Sequence, residues 1–91
     1  MPSKNNSDLQ AALDILGTLK QKVATTDALT NFAKKENELR ITWLQEELQK
    51  PKPDQNFVND LIHALTQGLS QVSALANLVT QVAKLLAKPL E

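Results

Sequence analysis

Between Val58 and Leu86 the chain places an apolar residue or glycine at alternating steps of three and four: Val58, Leu61, Leu65, Gly68, Val72, Leu75, Val79, Val82 and Leu86. An α-helix turns once every 3.6 residues, so this spacing gathers all nine positions onto one stripe. In heptad terms they are the a and d positions. Ile62, Leu69, Ala76 and Ala83 at e widen the stripe, and Leu78 and Leu85 at g extend it near the C-terminal end. A stripe this broad must be covered by other helices, which commits the chain to an all-α fold. A β alternative has little to work with: 91 residues hold two glycines and four prolines, too few for a set of hairpins.

The rest of the sequence supplies the partners. Ser7 and Gln10 form a capping box ahead of Leu9, Ala12, Leu16, Leu19 and Val23, a second helical stripe widened by Leu13. Gly17 interrupts this helix at a cost of roughly 1 kcal/mol and suggests close approach by a neighbour. Thr25-Thr26-Asp27, poor helix formers that cap well, mark the first break. The next helix carries two apolar strips. Leu29, Phe32, Ala33, Leu39 and Trp43 form one; Ile41, Leu44 and Leu48 form another, rotated round the helix, so two neighbours are expected. Trp43 is expected to be a core anchor between helices. Lys50-Pro51-Lys52-Pro53-Asp54 then stops the helix, because residues before proline avoid the α region. Asp54 is placed to cap the third helix, and so short a connection predicts an antiparallel hairpin. The predicted fold is an antiparallel three-helix bundle with helices at 7–24, 27–49 and 54–87, the last roughly 50 Å long if continuous. Gly68 and Ser70 are where it would break to give four helices. Residues 7–89 form one helical domain. Residues 1–6 are expected to be a disordered tail, and Leu90-Glu91 to be a cloning remnant outside the fold.

Charge and composition exclude several functions. Ten Lys and Arg balance ten Asp and Glu, so there is no basic surplus to displace counterions from nucleic acid. The chain has no cysteine, hence no disulfide, thiolate nucleophile or Cys-based zinc site. The polar N-terminal stretch is no secretory signal, and a bacterial, cytoplasmic setting is the expectation. The uncharged run between Asp60 and Lys84 has the length of a membrane span, but Thr66, Gln67, Ser70, Gln71, Ser73, Asn77, Thr80 and Gln81 give it a polar face. Asp60 and His63 stand one helical turn apart; a di-metal bundle needs more ligands than one histidine supplies, so His63 is read as a solvated residue at an f position. Glu36 falls within the first apolar strip of the second helix; it is expected to pair with Lys20, Lys22 or Arg40 or to sit at an edge reached by a local bend, the alternative being a functional acid in a pocket. No phosphate loop, nucleophile elbow or His-Glu zinc motif occurs. No catalytic, cofactor-binding or metal-binding residue is assigned, and no enzymatic activity or cofactor is expected.

The segment from Leu44 to Leu69 contains Leu-Gln-Glu-Glu-Leu-Gln-Lys-Pro-Lys-Pro-Asp, then Phe57-Val58 and an Ala/Leu-rich amphipathic helix. It resembles a helical module, often cyanobacterial, in bacterial signalling and defence proteins, in which a Glu-Leu-x-Lys-Pro-x-Pro-Asp turn joins two helices. The resemblance covers about a third of the chain and implies a protein–protein interaction or effector-coupling role. The residues themselves point the same way. A third helix longer than its partners leaves an overhanging apolar face made by Val72, Leu75, Leu78, Val79, Val82, Leu85 and Leu86, expected to form a homodimer or to dock another protein. The alternative is a peripheral membrane protein using the same amphipathic C-terminal half.

Overall fold

A computed structural model describes residues 6–86 and contains, among them, four helices: α1 (Asn6–Thr25), α2 (Asn31–Leu48), α3 (Gln55–Gly68) and α4 (Ser73–Leu86). Residues 1–5 of the expected tail, the helix end at 87, the domain limit at 89 and Leu90-Glu91 lie outside the described residues, while Asn6, expected in the tail, is the first residue of α1. The all-α class holds; the continuous third helix does not, and the break falls at Gly68.

Local chemistry sets each boundary. α1 begins at Asn6, which puts Ser7 inside the first turn and not at the cap. The first connection is longer than the sequence suggests. Thr26 Oγ1 accepts from the Ala28 amide in a side-chain turn, and Thr30, not Asp27, caps α2 by accepting from the Ala33 amide at 3.1 Å. Asp54 caps α3 as its position predicts, with one carboxylate oxygen accepting from the Asn56 and Phe57 amides.

Three contacts fix how the chain runs. Lys20 Nζ donates to Thr42 Oγ1 at 2.6 Å, so α1 and α2 form a hairpin about the 26–30 connection. Glu47 meets the Asp54 amide at one end of α2, while Gly68 lies against Asn37 nearer the other, so α3 runs back along α2. α4 then turns again and makes the most extensive helix pairing of the molecule, with α1. Each helix touches two neighbours in a ring α1–α2–α3–α4, and the diagonal pairs make no close backbone approach. The core at the centre holds Ala12, Leu16, Leu19 and Val23 from α1, Ile41, Leu44 and Leu48 from α2, Val58, Leu61 and Leu65 from α3, Leu69 from the turn, and Leu75, Val79 and Val82 from α4.

The break at Gly68 follows from this core. A Cβ on Gly68 would stand 2.6 Å from Asn37 Oδ1, closer than real contacts allow, so glycine is what lets α3 seat on α2 here. Leu69 leaves helical geometry at φ −111°, ψ 8° yet stays fully buried. The Leu69 amide still donates to the Leu65 carbonyl of α3, that of Val72 to Leu69 within the turn, and those of Leu75 and Ala76 to Val72. The reversal therefore loses only a few hydrogen bonds, each worth about 0.5–1.5 kcal/mol net. It gains burial of Leu75, Val79 and Val82 on the stripe of α1, at about 1.5–3 kcal/mol apiece. Burial wins.

Candidate interaction surface

The seven residues expected to form an overhanging face come together, but on α1. Leu75, Val79 and Val82 are buried in the core, and Val72, Leu78, Leu85 and Leu86 are half-buried against it. The folding back of α4 removes the overhang. His63 and Asp60 are both exposed on α3, and among the described residues no three His, Cys, Asp or Glu side chains gather closely enough to hold a metal ion. Glu36 sits half-exposed at the edge of its strip and pairs with Arg40 at 3.7 Å on the same helix. Gly17 differs from its expectation: nothing lies within 4 Å of the position its Cβ would occupy, so no neighbour approaches there.

The apolar surface left uncovered belongs to α2. Its inner strip, Ile41, Leu44 and Leu48, enters the core together with the buried Asn37. At 100° per residue, Phe32, Leu39 and Trp43 lie within roughly 40° of one another and about 150° away from that inner strip. They point outward, 73%, 48% and 43% exposed, and Phe57 at the start of α3 joins them at 39%. Trp43 is thus a surface residue and not the expected core anchor. These include all three aromatics of the sequence, while the core is built from Ala, Val, Leu and Ile alone. Sequence periodicity finds the strip but assigns it inward, because two apolar strips on one helix carry no label saying which is covered.

At the C-terminal end of the strip a surface notch is lined by Trp43, Glu46, Glu47, Lys50 and Phe57. Its floor is held by the turn. Glu47 is almost fully buried; Oε2 accepts from the Asp54 amide at 2.8 Å and Oε1 meets Lys50 Nζ at 2.9 Å. The Asp54 amide first, and then the Lys50 ammonium, hold the Glu47 carboxyl below the usual glutamate range against the opposing effect of burial. The Glu-Leu-x-Lys-Pro-x-Pro-Asp spacing therefore has a physical content. Its glutamate ties the lysine and the aspartate backbone together, its prolines end one helix, and its aspartate starts the next.

Charges border the strip along both edges. Lys35 and Glu46 lie on one edge, and Glu36 and Arg40 on the other. A second, more polar depression crosses the outer face of α1, with Asp14, Gly17, Thr18, Lys20 and Gln21 opposite Glu38 of α2. No helix among the described residues is long and apolar enough to cross a membrane. No protein-family profile matches the chain, and no curated protein or solved structure is significantly similar to it.

Proposed function

We propose that this chain is a non-enzymatic helical protein–protein interaction module that docks through the outer strip of α2, with Phe57 at its edge. One observation carries the reading: the bundle builds its core without an aromatic residue and places all three on one exposed surface. Large apolar side chains stabilise a fold most when buried, so a set left exposed along one helix face marks a surface that a partner covers. Tryptophan flanked by aliphatic neighbours and a charged rim is also the composition of an energetic centre in protein interfaces. The α4 face expected from the sequence is less suited to this role, since opening it would empty the α1–α4 side of the core.

The test is a photo-crosslinking side chain placed at position 39 in cells that make the protein, with the exposed position 80 on α4 as control. Protein adducts should form through position 39 and not through position 80. If the two positions behave alike, α2 is not the docking surface. A peripheral membrane role for the C-terminal helix requires α4 to peel from α1. Co-sedimentation of the folded chain with anionic vesicles would favour that role over the one proposed.

A further inference from the structure

Resting on the proposed docking role of α2, we infer that the occupant of its outer strip is the α2 of a second copy, packed antiparallel about Leu39. A two-fold interface sets the same surface against itself, so the strip must be complementary to its own reverse. In an antiparallel pair centred on Leu39, positions on one edge meet the same edge of the other copy in reversed order. Leu39 then meets its own symmetry mate. Lys35 of one copy falls beside Glu46 of the other on one edge, and Arg40 beside Glu36 on the other edge. Each pair occurs twice, so all four charges find an opposite one. A parallel pair instead sets each edge against the opposite edge. Lys35 then falls beside Glu36, but the nearest cation to Glu46 is Lys50, already held by Glu47, and Arg40 gains no carboxylate from the facing helix. Charge favours the antiparallel pair.

Shape agrees with charge. Knobs-into-holes packing seats a side chain among four residues of the facing helix, at positions i, i+3, i+4 and i+7. Trp43, Glu46, Glu47 and Lys50 have that spacing and line the surface notch, with Phe57 closing it from α3. The antiparallel register delivers Phe32, the most exposed large apolar residue of the described chain, opposite position 46 and so into this notch. The same register serves both ends, since the second Phe32 enters the first copy's notch. A parallel pair would hold both Phe32 side chains at the far end of the helix from both notches. The chain thereby supplies both the knob and the hole.

The experiment is sedimentation equilibrium of the purified full chain over a wide concentration series. The wild type should show a reversible dimer. Lys35→Glu and Glu46→Lys should each be monomeric, with helical circular dichroism unchanged because neither side chain enters the core. Mixed together, the two variants should form a one-to-one heterodimer. The introduced glutamate of one then faces the introduced lysine of the other, and the remaining native pair, Glu46 with Lys35, is kept. A wild type monomeric throughout, single variants that dimerise as well as the wild type, or a mixture that stays monomeric would each overturn the antiparallel pairing. A monomeric wild type that still crosslinks other proteins through position 39 removes the second copy as occupant and leaves the docking role intact. Absence of any adduct removes both.

Discussion

Glu47 and Asn37, the two buried polar residues among those described, sit at opposite ends of the α2–α3 contact and solve different problems. Glu47 joins the end of α2 to the start of α3 through Lys50 and the Asp54 amide. Its carboxyl is depressed, so it contributes stability fully above the ordinary glutamate value of about 4.3, and that contribution is lost as pH falls through the lower folded value. Glu47→Gln should therefore lower the melting temperature at neutral pH, and the gap to the wild type should close on acidification below about pH 4. A gap independent of pH would show that the charge contributes nothing. Asn37 donates Nδ2 to the Ala33 carbonyl at 2.8 Å, and its Oδ1 is buried with no hydrogen-bond partner, facing Gly68. A Cβ at position 68 would crowd that oxygen at 2.6 Å. Gly68→Ala should cost about 1–2 kcal/mol through this overpacking, whereas Gly17→Ala, facing open space, should stabilise by about 0.5–1 kcal/mol through helix propensity alone. Urea denaturation of the two variants checks the opposite signs.

Helix existence and type were legible because apolar spacing is a direct image of which side of a helix is buried. The third stripe shows where that image fails. Leu65, Gly68, Val72 and Leu75 keep perfect step through the turn at 69–72, because residues on either side of a reversal still face the same core. Periodicity reports the side that is buried and is blind to the direction in which the chain leaves. The missing information is a tertiary contact, Asn37 against Gly68, which no local pattern contains. The outer strip of α2 was visible as apolar for the same reason, and its exposure was not. A consequence at this scale concerns Val79, buried against α1. Val79→Lys places an ammonium in the core of the α1–α4 contact, and the result should be loss of cooperative thermal unfolding for the whole domain. A folded variant with wild-type melting behaviour would show that α4 does not need α1.

The described molecule is a rod of 44 × 20 × 18 Å with a radius of gyration of 12.9 Å. Pairing through the flank of α2, centred near the middle of that helix, sets two rods side by side. Small-angle scattering of the dimer should then show a cross-section that grows while the maximum dimension stays close to that of one chain. Near-doubling of the maximum dimension would indicate end-to-end contact and exclude the α2 face. The ring of helices also has a bearing on how the protein is made. Ribosomes deliver α1 long before α4, with the whole α2–α3 hairpin between them. α2 can cover one flank of α1 as soon as it emerges, since the link between them is only 26–30. The other flank belongs to the largest pairing among the described helices and stays bare until α4 has followed. Nascent chains on one polysome thus carry an adhesive edge until α4 joins them, which makes elongation rate a determinant of yield.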